Sequence, residues 1–390
     1  MKKTKRRVQQ TLKIALCLLL LAALLTVALA GCGSKGPVAT VYAASDFQPY
    51  YSTNDDTEQG QLYMETILRQ MKTDGYEIDG ALFCGDYSKR GNTWSRVKVE
   101  LNNAGIAAIV EVLEAELGLG HEEAVFVQGN HDPAGTEGLD TFGANDTEHY
   151  GVFVLHEDDF QWKQGSDLEG VVSKNSGNDD TDALETTRAT AAALEAYLQA
   201  KVDEKYEQPI FVCAHVPLHY SYRTYTVSTL DNIYAKLIFD VLNEYGKQLN
   251  IIFMFGHNHS DTHDDYLGGG AVYQAVGDTI LVPNEGEWLE FGTYTLNFTY
   301  MNAGYLGYYD GWCEGGGLSS TVFKIFKDRV EVARYVYEEV DDVPTARLGN
   351  LKEAGVWDKY HTFRSFKRDV NTENVYEGVQ TITLKKFTDK

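Results

Sequence analysis

Two histidines stand two residues apart in Gly256-His257-Asn258-His259, where the apolar run Ile251-Ile252-Phe253-Met254-Phe255 stops. An apolar run of that length reads as a buried strand. Three more runs end in side chains able to hold a cation. Ala81-Leu82-Phe83-Cys84 leads into Gly85-Asp86, and Ala124-Val125-Phe126-Val127-Gln128 into Gly129-Asn130-His131-Asp132. Pro209-Ile210-Phe211-Val212-Cys213-Ala214 leads into His215. In open α/β sheets, ligands bind beyond the carboxyl ends of the strands. Carboxylate, amide and imidazole groups at four such ends point to one shared metal site. A lone Gly-His-x-His would equally suit a loop with two surface histidines; the set of four is far more specific.

The elements that must position these groups follow from periodicity. Residues 38–44 form a first strand, ending at Ser45-Asp46-Phe47-Gln48. Residues 59–72 form an amphipathic helix with Leu62, Ile67, Leu68 and Met71 on or near one face, and residues 97–117 a second helix. Strand, helix, strand, helix, strand implies a parallel sheet covered by helices. Residues 151–160 read as a further strand and the polar stretch 161–182 as a surface loop. Helices at 186–205 and 233–249 flank the strand before His215. From Ala271 onward, short aromatic and β-branched runs (293–300, 322–337, 379–384) alternate with Gly-rich turns, which predicts a second, mostly antiparallel sheet.

In their order, each after an expected strand, these stations resemble the calcineurin-like metallophosphoesterase superfamily, whose pattern is D-x-H, G-D, G-N-H-[DE], a lone His and G-H-x-H, each just after a strand. Here the stations run from Asp46 to His259. The resemblance implies an α/β fold, a four-layer α/β/β/α metallophosphoesterase sandwich, with two divalent ions at the strand ends. Asp86 would bridge the ions. Asp46 and His259 would complete the first position, with Gln48 either a direct ligand there, replaced by a water, or leaving the position weak; Asn130, His215 and His257 would complete the second. Such a mixed nitrogen and oxygen donor set, without thiolate, suits Mn, Fe or Zn and does not choose between them. The implied reaction is hydrolysis of a phosphomonoester or phosphodiester by a metal-bridged hydroxide. His131 would assist the leaving group, and Asp132 would orient and charge its imidazole.

Two positions depart from the pattern. Gln48 stands where the family has the first His; it is neutral and a weaker ligand, so a catalytically weak or inactive surface binding protein is the alternative function. Lys89 occupies the place where purple acid phosphatases carry a tyrosine ligand, so no tyrosinate–iron site is expected. Substrate contacts are expected from loops after the strand ends, with Arg90, His219 and Arg223 as candidates.

The remaining sequence sets location and partners. Lys2, Lys3, Lys5, Arg6, Arg7 and Lys13 precede an apolar run that ends Leu29-Ala30-Gly31-Cys32. Residues 1–32 therefore resemble a bacterial lipoprotein signal, with lipid on Cys32 anchoring an exported protein to the outer face of the membrane. Residues 33–37 read as a tether, 38–345 as the metallophosphoesterase domain, and 346–390 as a C-terminal extension packed on it. Loss of the signal removes six of 34 basic residues and none of 57 acidic ones, leaving 28 against 57, a net charge of −29. A nucleic-acid partner is not expected at that charge. The 43% hydrophobic content allows a sizeable core. Cys84 and Cys213 read as small buried hydrophobes, and no disulfide framework is expected.

Overall fold

A strand that is apolar throughout must have both faces covered, and that requirement organises the whole molecule. The computed structural model describes residues 36–48, 54–88, 99–156, 181–219, 234–257, 273–284, 287–307, 319–337, 361–364 and 378–387. In chain order the elements begin β1 (Ala39–Ala44), α1 (Asn54–Thr73), β2 (Gly80–Phe83), α2 (Val99–Leu117), β3 (Ala124–Phe126), β4 (Gly143–Ala144) and β5 (Gly151–Leu155). There follow α3 (Thr181–Asp203), β6 (Pro209–Ala214), α4 (Ala235–Tyr245), β7 (Asn250–Phe255), β8 (Tyr273–Gln274), β9 (Thr279–Asn284) and β10 (Glu287–Thr295). The chain then forms β11 (Thr299–Asn302), β12 (Gly304–Tyr305), β13 (Ser319–Ile325), β14 (Arg329–Tyr337), β15 (His361–Arg364) and β16 (Gln380–Thr383).

The helices carry their apolar stripes at the expected spacing. In α1, Met64, Ile67, Leu68 and Met71 are buried; in α2, Ile106, Ile109, Val112 and Leu113 are. Both helices stop where a glycine takes a left-handed φ, Gly75 and Gly118. After each glycine the next amide bonds back into the last turn: Tyr76 N–H to Met71 O at 3.0 Å, Leu119 N–H to Leu113 O at 3.3 Å. The chain starts α1 five residues before the expected Gln59, and starts α3 before the expected Thr186.

The first sheet has the order β15-β14-β13-β1-β2-β3, with β12 on β13 and β16 on β14; the second runs β4-β5-β6-β7-β11-β8. β1, β2 and β3 are parallel, as are β5, β6, β7 and β11. Side-chain alternation gives each sheet two buried faces. Tyr42, Ala44, Phe83 and Phe126 pack with α1 and α2. Val41, Ala43, Leu82 and Cys84 meet Val152, Val154, Phe211, Cys213, Ile252 and Met254 between the sheets. Leu155, Val212, Phe253 and Phe255 pack with α3 and α4. This succession of cores is compatible with the expected α/β/β/α layering.

The separate antiparallel sheet expected after Ala271 does not form as such. Among the described residues, only β9 and β10 pair apart from the two large sheets. β13 instead pairs antiparallel with β1, β14 pairs with β13, and β11 and β8 extend the second sheet beyond β7. The reason is edge satisfaction: β1 and β7 would otherwise present unpaired backbone to water. The strand expected over 151–160 ends at Leu155, and residues 157–180 lie outside the described residues. No helix among the described residues is long and apolar enough to cross a membrane.

Candidate metal centre

The two sheets end side by side, and the loops leaving β1, β2, β3, β6 and β7 converge there. Backbone bonds lock the first two together: Asp46 N–H reaches Gly85 O at 2.9 Å and Gln48 N–H reaches Asp86 O at 3.3 Å. From the second sheet, Gly256 N–H reaches His215 O at 3.0 Å. The sheets are joined by His257 N–H donating to Asp46 Oδ2 at 2.9 Å and by the His215 ring bonding Cys84 O through Nδ1 at 2.6 Å. A carbonyl only accepts, so Nδ1 of His215 carries hydrogen and Nε2 faces the cluster.

Four donor atoms then stand together. His215 Nε2 lies 2.9 Å from Asn130 Oδ1 and 3.3 Å from Asp86 Oδ2. His257 Nδ1 lies 3.0 Å from Asn130 Oδ1 and 3.2 Å from His215 Nε2. Ligands about 2.1 Å from one ion stand about 3.0 Å apart at octahedral angles and about 3.4 Å apart at tetrahedral ones. The four separations have the length of polyhedron edges, and two oxygens with two imidazole nitrogens suit a borderline divalent ion. Asp46, Asp86 and His215 also form a buried group whose donor atoms lie within 4.8 Å of one another. The residues present therefore fit a metal.

Local strain marks the same place. Among the described residues, five non-glycine positions have positive φ, and four of them are Asp46, Gln48, Asp86 and His257. Each such conformation costs on the order of 1–3 kcal/mol and persists only where its surroundings impose it. The motif glycines have a different reason, close approach. A Cβ on Gly129 would lie 2.3 Å from Asp86 Oδ1, and one on Gly256 only 1.8 Å from Ser45 Oγ and 2.7 Å from Asp46 Oδ2.

Electrostatics follow from burial plus pairing. Burial alone would raise Asp86, but His215 and His131 outweigh it and hold the carboxyl well below the usual range. Burial pulls His215 down, while Asp86 and Asp46 more than compensate and raise it to about 9. Metal uptake must then displace a proton from His215, so affinity falls as pH falls.

Asp132 departs from its expected role. Its Oδ2 accepts Gly129 N–H at 2.6 Å and Asp86 N–H at 2.8 Å, and its Oδ1 accepts Tyr87 N–H at 3.0 Å. Among the described residues these backbone amides, not the His131 imidazole, are its hydrogen-bond donors. The carboxylate ties the β2 and β3 loops together, while burial and then Asp86 raise it to about 7. His131 is held instead by its backbone, whose N–H donates to Asp86 Oδ1 at 2.8 Å; its ring Nε2 lies 3.9 Å from Asp86 Oδ2. Gln48 is buried, and its amide nitrogen donates to Asp86 Oδ2 at 2.5 Å. His219, expected at a substrate loop, is 3% exposed. Its Nδ1 lies 2.7 Å from Tyr300 Oη and its ring packs on Phe255, so it belongs to the core behind β7. His259, Arg90, Arg223 and Cys32 lie outside the described residues.

Periodicity held one further signal that motif reading passed over. Val330, Val332 and Arg334 share one face of β14, and the two valines lie in the core between the sheets. A charged residue in that register is an anomaly. Arg334 is fully buried; it donates to Asn302 O at 2.7 Å, Asn302 Oδ1 at 3.1 Å and Ser319 Oγ at 3.0 Å. Asn302 in turn donates to Gly256 O at 3.3 Å. The guanidinium thus braces the turn that carries His257.

Comparison with known proteins gives one match that bears on function. A sequence model of the calcineurin-like phosphoesterase family matches residues 39–261, more than half of the chain and the span containing every expected donor. No curated protein matches. Among solved structures, the chain is similar to a single mutant of Vps29 from Entamoeba histolytica, at 13% identity and a TM-score of 0.30, covering 77% of this chain and 93% of that one. It is also similar to Vacuolar Protein Sorting 29 from Cryptosporidium parvum, at 11% identity and a TM-score of 0.29, covering 78% and 93%. At those scores neither likeness bears on fold or activity.

Proposed function

Because the chain belongs to the calcineurin-like phosphoesterase family, we propose that it hydrolyses a phosphomonoester or phosphodiester with the help of divalent metal at the strand ends. The observation that carries this reading is the run of contacts from Asp86 Oδ2 to His215 Nε2, and among His215 Nε2, Asn130 Oδ1 and His257 Nδ1, at 2.9–3.3 Å, the spacing of neighbouring ligands around one ion. Asp46, with Gln48 and His259, would offer a second position sharing Asp86. When bound, divalent ions neutralise phosphoryl oxygens and make water nucleophilic at neutral pH.

The chain's own residues do the rest. Asp86 holds His131 by its backbone at the edge of the centre. As the P–O ester bond breaks, the leaving oxygen needs a proton, and His131 Nε2 is the group to supply it. Asp132 keeps the β2 and β3 loops in register, so that Asp86 and Asn130 stay on the same side. From residues 1–32 we also propose export, with lipid on Cys32 holding the protein at the outer face of a bacterial membrane. A weakly catalytic binding protein on the same scaffold is the second reading, favoured by Gln48 alone.

The test is turnover of a chromogenic phosphomonoester and diester, with and without added Mn, alongside metal analysis. His131→Ala should lower turnover about 10²- to 10⁴-fold while leaving metal content unchanged. Asp86→Ala should abolish both. Metal retained by the wild type without turnover under any addition favours the binding protein; full activity in His131→Ala defeats the assignment of that residue.

A further inference from the structure

The Asp86 carboxylate is shared unequally. Its Oδ1 accepts His131 N–H, and its Oδ2 faces His215 Nε2 on the side of the donor nest. The same Oδ2 also receives Gln48 Nε2, at 2.5 Å. An ionised carboxylate only accepts, so the amide must present its NH₂ to Asp86 and turn its carbonyl away. Gln48 is buried, its backbone N–H also binds Asp86 O, and its φ of 20° marks it as held in place by its surroundings. Asp46, the neighbouring carboxylate, likewise accepts a hydrogen bond, from His257 N–H to Oδ2.

We propose, resting on the metal-dependent reading above, that Gln48 makes the centre unequal. One ion is held tightly among Asp86, Asn130, His215 and His257, while the Gln48 amide stands in for a second ion as the partner of Asp86. For Gln48 to serve as a ligand, its amide must flip, and the hydrogen bond to a buried charge is lost. A weaker neutral ligand is gained in exchange. The position beside Asp46 therefore fills only when metal is abundant. Gln48 is a positioning residue: it fixes the carboxylate that the tight ion uses.

The experiment is metal stoichiometry of the full-length protein, with Mn²⁺ alone as the probe. Wild type should retain one ion per chain after dialysis and show the six-line electron paramagnetic resonance spectrum of isolated Mn²⁺. Calorimetric titration should then show a second ion binding about ten- to hundredfold more weakly. Gln48→His should bring the two affinities within about tenfold and give the spectrum of an exchange-coupled pair. Two ions of equal affinity in wild type would overturn the proposal, as would a Gln48→His variant that still retains one. No ion in either protein would instead overturn the metal-dependent reading itself. Wild-type stoichiometry and spectrum decide the matter even if Gln48→His fails to fold.

Discussion

The first sheet brings oxygen and amide groups to the centre, and the second brings imidazoles. Asp46, Gln48, Asp86 and Asn130 leave β1, β2 and β3, whereas His215 and His257 leave β6 and β7. Neither sheet alone assembles a metal nest, so the joint between them is itself part of the site. That joint has an apolar body, in which Leu82, Cys84, Phe211, Cys213, Ile252 and Met254 interlock. It also has a polar rim, where His257 meets Asp46 and His215 meets Cys84. Packing of this kind resists small displacements. A metal site needs that resistance, because ligand separations near 3 Å tolerate little error.

Wedging the joint should have the largest effect. In Gly256→Ala the new Cβ would overlap Ser45 Oγ and press on Asp46 Oδ2. Ser45 Oγ has little freedom to move, because it donates to Cys84 O at 2.8 Å. Overpacking of this kind costs about 1–3 kcal/mol, and it falls on the bond between His257 and Asp46. Metal affinity should drop by about ten- to hundredfold, read by competition with a chelating dye. Unchanged affinity would mean that the sheets are held elsewhere.

Removing the brace behind the joint should matter less. Arg334→Met keeps volume but withdraws the donors from Asn302 and Ser319. The stranded acceptors should cost about 1–3 kcal/mol in a urea melt. If the Asn302–Gly256 link carries the effect forward, metal affinity should also fall by about tenfold, and Arg334→Lys should restore it only in part. A stability loss with affinity intact would confine Arg334 to the core.

How much of this was legible in the sequence follows from the same contrast. The strand ends were readable because a strand covered on both faces is a solid apolar run, and Asp86, Asn130, His215 and His257 each sit just past one. Which sheet each strand joins was not readable. The runs before Asp86 and His215 are equally apolar, and nothing local says that one lies beside β1 and the other beside β5. The late strands misled for a related reason. Their alternation in β13 and β14 is that of antiparallel strands, but their partner is chosen by the open edge of β1. Side-chain direction was equally hidden: Asp132 follows His131 in sequence but turns to backbone amides. Arg334 was legible in principle, as a charge in the register of Val330 and Val332.

The smallest effect tests whether the carboxylates of the first sheet set the charge state of the second. Two buried histidines follow β6, four residues apart. His215 faces Asp86 and Asp46, which outweigh burial and hold it at about 9. His219 lies against Tyr300 and Phe255, and burial pulls it down to about 3. Their contributions to stability have opposite signs. Before an ion binds, the charged His215 stabilises fully below the ordinary histidine value of 6.5, and that contribution is lost as pH rises toward 9. His219 binds its proton more readily in the unfolded chain, so its neutral form stabilises above 6.5. That contribution is lost as pH falls from 6.5 toward 3. His219→Gln, which does not titrate, should therefore flatten the acid limb of stability against pH. The difference from wild type should change by about 1.4 kcal/mol per unit between pH 6 and 4, with little change above pH 7. Urea midpoints measured across that range in a chelating buffer give the result. An acid limb of unchanged slope would mean that His219 is protonated in the fold. Both histidines would then be charged, and facing the carboxylates across the joint would not be what sets His215 apart.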